Sequence, residues 1–391
     1  MSTVLGLSVV ILIRMRQFVK SVAVLSIVLA AVLVGGVGFA AADTQQPAGN
    51  GTVDDPYQIT NWHELAYMNE SQSFYFVQQN DLNSSTNGYS EHVSNPTNGW
   101  DPIGNSASKF TGVFDGDDHI IDGVTIDRGS TQYVGLFGST EGSTLKNIRL
   151  TNVDINGSDN TGPIAGAINV DSRINNSYVT GDIEGANYAG GVVGTNYQSS
   201  INNSYSIANI EADNIVGGIA GDNDGGYISD SYSTGAVSGT NVVGGIAGEN
   251  NGGYISDSYS TGAVSGSSDV GGLVGGIAGN TIDSYWDINS TNQTTSSGGT
   301  GLTTSEMQGS SAATNMDFDF TTDWETVESS ASDATNDGYP VLQNNDREAQ
   351  LLAQSDTDPI SEYFLNIETS NSTTYSVTDV DGVEVASGQT E

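Results

Sequence analysis

The chain has 391 residues, 50 of them Gly and none Cys, and carries 47 Asp and Glu against 9 Lys and Arg, for a formal net charge of −38. Lack of cysteine excludes disulfides, thiol catalysis and cysteine metal sites, and so acidic a chain makes nucleic acid and anionic membrane surfaces poor partners. Its self-repulsion strains a compact fold in dilute buffer, whereas at 1 M salt the Debye length falls to about 3 Å; concentrated salt is the natural solvent.

Residues 1–42 hold no acidic residue. Arg14, Arg16 and Lys20 precede an uncharged stretch from Ser21 to Ala42 that ends in the small residues Ala40-Ala41-Ala42. This is the layout of a secretory signal peptide, and the stretch is also long enough to be an uncleaved N-terminal membrane anchor. Either way the rest of the chain is expected outside the cell or on its surface, with residues 21–42 the only membrane contact. Residues 43–130 read as an N-terminal cap and the first coils. Asn61 with Glu64 three residues on predicts a helix start before WHELAYMN, followed by an apolar strand at Phe74–Val77.

Residues 131–285 are built from repeats. VGGIAGDNDGGYISDSYSTGAVSG from Val216 recurs almost unchanged from Val243. Ile174, Ile201, Ile228 and Ile255 share a spacing of 27, as do Tyr178, Tyr205, Tyr232 and Tyr259, and Ile183, Ile210, Val237 and Val264. A fourth, glycine-framed column runs through Leu136, Ile164, Val192, Ile219, Ile246 and Leu273. A unit this short cannot bury its own apolar residues, but coils stacked so that each column lies on itself can. The expected fold is all-β: a right-handed parallel β-helix, a solenoid of about six 27-residue coils, capped by a short helix at its N-terminal end. Three strands per coil are predicted, near GGIAG, YISDSYS and TGAVSG.

The pattern breaks at Gly275. Residues 286–345, with Phe318, Phe320, Trp324 and Tyr339, read as a C-terminal cap. Residues 346–391 read as an acidic linker and a β-hairpin tail around Asp381-Gly382. The abrupt tail also fits a piece of a larger surface protein.

The glycine-framed motif reads YVGLFG at Tyr133, AGGVVG at Ala189, VGGIAG at Val216 and Val243, and VGGLVG at Val270. At these repeats, and at GNGTVDDPYQI, FTGVFDGDDHIIDGVTI, DSYWD, GGTGLTTSEMQ and GYPVL, the chain resembles the GLUG-motif proteins of bacterial surface adhesins, a motif also found beside IgA-specific metalloendopeptidases. With its acidic composition it looks like a haloarchaeal member. The resemblance implies an extracellular, β-helical, adhesin-like role binding surface glycans or cell-envelope proteins, and names no binding residue.

No catalytic or cofactor-binding residue is predicted. His63-Glu64-Leu65-Ala66-Tyr67 falls short of the HExxH zinc helix, because Tyr67 stands where the second His belongs. A β-helical polysaccharide lyase or glycosidase is the rival reading, with Asp115, Asp117 and Asp118 its carboxylates; Lys109, Arg128, Lys146, Arg149 and Arg173 would bind an acidic sugar, or else neutralise nearby acids. Asp115, Asp117 and Asp118 of DGDD, and Asp222 and Asp224 of DND, are candidate ligands for Ca2+ or another hard structural cation, with turn chemistry the alternative. Asp333–Gly338 begins like an EF-hand but lacks its closing Glu. Asn176, Asn203, Asp230, Asp257 and Asp283 form a ladder that would set carboxylates about 5 Å apart. A chain bend near Ser229 is therefore expected, turning Asp230 out of the core. Asn50, Asn69, Asn83, Asn156, Asn175, Asn202, Asn289, Asn292 and Asn371 are candidate glycosylation acceptors.

Overall fold

The computed structural model describes residues 44–95, 97–327, 338–355, 374–378 and 384–389. The expected signal or anchor at 1–42, the Asp333–Asp337 run, Asn371 and the Asp381-Gly382 turn lie outside them. Among the described residues no helix is long and apolar enough to cross a membrane.

Residues 57–302 form a parallel β-solenoid whose strands stack in three sheets of 13, 12 and 5 strands. The repeat columns are its ladders. Ile174 pairs with Ile201, Ile228 follows, and Ile255 follows that; Ile183, Ile210, Val237 and Val264 align in the same way. The glycine-framed residues Leu136 to Leu273 are fully buried. Each burial of an Ile, Leu or Val contributes about 1.5–3 kcal/mol, and stacking makes one continuous core of residues that no single coil could cover.

The coils have four or five short strands, not three. In the coil from Ile215 they are Ile215–Gly217, Ala220–Asp224, Tyr227–Ser229, Tyr232–Ser233 and Val237–Gly239. VGGIAG bends at Gly218, where an added Cβ would lie 2.1 Å from the Gly245 carbonyl oxygen of the next coil; only glycine allows that approach. YISDSYS breaks at Asp230, in the left-handed region at φ 46°, with Asn176, Asn203, Asp257 and Asp283 in the same conformation at φ 43–50°. The expected bend sits one residue beyond Ser229. Asn and Asp tolerate this geometry better than other residues with a Cβ, so the acid ladder is a column of corners. Inside each corner a serine is buried. The backbone N–H of Ser177, Ser204, Ser231 and Ser258 donates to the hydroxyl of the next coil's serine at 3.2–3.3 Å.

At the N-terminal end the strands Tyr57–Ile59, Tyr75–Gln78 and Val113–Asp115 continue the first ladder. Helix Trp62–Ala66 is capped by Asn61, whose side chain accepts the Glu64 N–H at 3.1 Å, and its Trp62 and Leu65 join the core. A 3-10 turn, Tyr67–Asn69, ends it early.

The expected C-terminal cap has two parts. Residues 286–302 close the end, with Tyr285–Asp287 pairing to Thr300–Leu302. Residues 303–327 and 338–350 instead run back along the side. Their Met307, Met316, Phe318, Trp324 and Leu342 cluster with the column Tyr178, Tyr205, Tyr232, Tyr259 and Tyr285, which faces outward from the coils. Residues expected as linker at 347–355 form helix Arg347–Ser355, whose Gln350 is fully buried. The tail strands Thr374–Thr378 and Glu384–Gln389 pair antiparallel, as a hairpin requires.

Candidate functional surface

Strand register turns separate acids into rows on the outer face of the 12-stranded sheet. Asp127 pairs with Asn156, Asn156 with Glu184 and Glu184 with Glu211; Asp154 pairs with Asp182 alongside. Two shallow depressions lie on this strip and share Glu184. The first takes Asp127, Asp154 and Asn156; the second takes Glu211, Asp213 and Thr240. Among the described residues no basic side chain lines either one. Such a surface offers acceptors, hydroxyls and backbone amides, which suits hydrated cations and hydroxyl-rich ligands.

On the neighbouring face, strand alternation splits the DND segment. Asn223 points inward and joins a buried amide ladder, donating to Asn250 at 2.7 Å and accepting from Asn196 at 2.8 Å. Asp222 points outward and sits in register with Glu249 of the next coil. Desolvation, with Asp224 and Glu249 nearby, pushes its carboxyl up to about 7, and its Oδ1 has no hydrogen-bond partner. At the corner ladder, desolvation and Asp257 likewise push Asp230 up to about 6.

Two tyrosine columns leave the coils on opposite sides of that corner. Tyr178, Tyr205, Tyr232 and Tyr259 stack at centroid spacings of 4.9 Å with interplanar angles of 1–10°, beneath the lateral C-terminal segment. Tyr232 donates to Gln350 Oε1 at 3.2 Å and Tyr259 to the Pro340 carbonyl at 2.7 Å, while Trp324 packs on both rings. Burial holds both phenols far above their ordinary titration range. Tyr227 and Tyr254 stack at the same 4.9 Å but remain 53% and 41% exposed. Each ring spends one face on the other. Sequence reasoning passed over this second column and the Glu184–Glu211 row. The 27-residue spacing of Tyr227 and Tyr254 was the available signal.

The predicted site residues fare unequally. Asp115 accepts from Lys146 at 2.6 Å, from Asn147 at 2.7 Å and from the Asp117 N–H at 3.0 Å, and Asp118 pairs with Arg149 at 3.0 Å. Asp117 and Asp118 hold positive φ, so DGDD is a turn neutralised by the next coil. Among the described residues no three His, Cys, Asp or Glu gather as a metal set. Lys109 pairs with Glu141 and Arg128 with Asp101, so these cations are dispersed rather than convergent. His63 meets His92 at 3.0 Å, and Glu64 turns back to the Thr60 N–H and hydroxyl at 2.7 Å; the HELAY segment is a helix start. Among the acceptor sites, Asn50, Asn289 and Asn292 are exposed. Asn69 and Asn83 serve turns, and Asn156 donates to Asp127. Asn175 and Asn202 bond each other at 3.2 Å, and the hydroxyls of their Ser177 and Ser204 are buried. Both acceptor segments are themselves ladder strands.

No protein-family model matches the chain, so the GLUG-like resemblance is carried by its motifs alone. The chain is 35% identical over 156 residues to Halomucin of Haloquadratum walsbyi, a match covering 38% of this chain and 2% of that protein. It is 30% identical over 185 residues to a putative Gly-rich membrane protein of Evansella cellulosilytica, covering 38% of this chain and 21% of that one. The chain therefore spans only a small part of either relative. A solved structure titled as a putative immunoglobulin A1 protease from Bacteroides ovatus superposes with a TM-score of 0.57 at 23% identity, covering 76% of this chain and 95% of that one. This last likeness concerns the fold.

Proposed function

We propose that the chain is an exported surface module that adheres to glycans or cell-envelope components in concentrated salt. The observation that supports this best is the outer acidic strip. Its depressions follow one ladder position on which Asp127, Asn156, Glu184 and Glu211 are successive register partners, and among the described residues no cation converges on them. A repeated surface binds weakly at many equivalent places, which suits adhesion to a repeating polymer. A catalytic groove instead needs one non-repeating pair of acid and base with unequal proton affinities. Similarity to Halomucin and to a Gly-rich membrane protein points towards the cell envelope, and the uncharged stretch at 21–42 supports export.

The test is a glycan-array and whole-cell binding assay of the chain from residue 44 in molar salt, run beside polysaccharide-cleavage controls. Saturable binding without product, weakened at least tenfold by the double substitution Glu184→Lys and Glu211→Lys, supports adhesion. Released oligosaccharide would transfer the assignment to the enzyme reading and to Asp127, Asp154 and Glu184 as its carboxylates.

A further inference from the structure

Among the described residues, the C-terminal end of the solenoid is sealed except along one stretch of the 13-stranded sheet. The Gly272 N–H donates to the Thr295 carbonyl at 3.0 Å beside the last strand of the 5-stranded sheet, and the Ser297 N–H donates to the carbonyl of Val274, which bridges Ala247 of the 13-stranded sheet, at 3.0 Å. The Val264 N–H donates to the Thr291 carbonyl, and Thr300–Leu302 pairs along Tyr285–Asp287, covering the 12-stranded sheet. Strand Ala278–Ile282 ends the remaining ladder. It pairs with Ala247–Ser256 on its inner side, and among the described residues no strand takes its outer side. Ile277 is 58% and Ile282 52% exposed at its two ends. Edge strands are usually blunted by Lys, Pro or a covering loop, because their free N–H and C=O groups template pairing. This edge, AGNTI, has neither Lys nor Pro.

We infer that this edge is a self-association site, pairing antiparallel with the same strand of a second copy across a two-fold axis. The strand has five residues with Asn280 at its centre, so a two-fold through Asn280 is the register in which all five residues pair across the joint. In that register Asn280 lies opposite Asn280, and their amides can donate to and accept from each other. Ile282 lies opposite residue 278 of the other copy, and Ile277 covers the rim. Charge favours the same arrangement. Asp283, just beyond the strand, is carried to opposite ends of the joint, the two carboxylates about 20 Å apart. Parallel pairing, or addition of a strand bearing acids at its centre, lacks this separation. Because both copies are strongly acidic, the joint forms in molar salt and weakens in dilute buffer.

Sedimentation velocity of the full-length chain in molar salt tests this directly. A monomer–dimer equilibrium is expected, shifted towards monomer at least tenfold by Ile282→Lys and again by Ile277→Lys. Both residues are exposed, so these variants retain the folded near-ultraviolet circular dichroism of the parent. The chain has no native cysteine, so Asn280→Cys supplies a geometric readout: oxidation should yield a covalent dimer, whereas Val53→Cys, exposed at the other end, should not. A chain that stays monomeric at the highest soluble concentration overturns the inference. So does a dimer that ignores both lysine substitutions, since its interface lies elsewhere, or one in which Asn280→Cys crosslinks no better than Val53→Cys.

Discussion

Tyr227 and Tyr232 stand five residues apart in one repeat, each stacked on its copy at 4.9 Å, yet one column faces solvent and the other is sealed. The left-handed corner at Asp230 separates them, sending Tyr227 out on one sheet and Tyr232 out on the next. Only the second side is met by the lateral C-terminal segment. The comparison teaches that in a solenoid the repeat creates a surface, and a non-repeating segment decides whether it becomes core or interface.

Removing the cover should have the largest effect. Trp324→Ala removes a fully buried indole packed against Tyr232 and Tyr259 and should cost about 3–5 kcal/mol in urea unfolding. Hydrogen exchange should rise along 303–350 before it rises in the coils. Uniform exchange in both regions would mean that the segment and solenoid unfold as one unit.

Next in size is the difference between the columns under the same small change. Tyr259→Phe strands the Pro340 carbonyl in a buried site and should cost about 1–2 kcal/mol. Tyr254→Phe, exposed, should change stability by less than about 0.5 kcal/mol. Equal costs would remove the distinction drawn between them.

The corner at Asp230, and Asp222 on strand Ala220–Asp224, should respond to pH and salt. Asp230 is pushed up to about 6 and Asp222 to about 7, above their unfolded values near 3.8. The folded chain then holds more protons than the unfolded chain between about pH 4 and 7, so this contribution to stability is full below pH 4 and lost as pH rises towards 7. The thermal midpoint should fall across that window, and Asp222→Asn should flatten part of the slope and raise the midpoint by a few degrees at pH 8. A midpoint independent of pH from 4 to 7 would refute the burial of these acids. Raising salt from 0.1 to 3 M should lift the midpoint at pH 8 more than at pH 4, where fewer carboxylates repel. The smallest effect is expected for Tyr227→Ala, near zero in stability; a loss of adhesion would place the bare column within the binding surface.

Much of the fold was legible because stacking leaves a period. Ile174 to Ile255 align at 27 residues whatever the rest of the chain does, since coils pair through the backbone and each column must stack on itself. The corner at Asp230 was legible too, as a carboxylate that alternation would otherwise have buried. Strand number was not, because GGIAG bends through a close approach between backbones that no residue pattern announces. The DND triplet looked like one ligand cluster, and only alternation about Asn223 shows that its middle member belongs to the interior.

By itself, then, the sequence determined the coil: its length, its apolar columns, its left-handed corners and its acidity, all of which are local or strictly periodic. The tertiary structure decided what lay between distant segments. It set the segment around Trp324 against the column Tyr178 to Tyr285, gave Asp115 to Lys146, drew Glu184 and Glu211 into one strip, and, among the described residues, left the outer side of Ala278–Ile282 unpaired. Those outcomes depend on how far a non-repeating chain reaches and what it covers, and no period in the sequence encodes that.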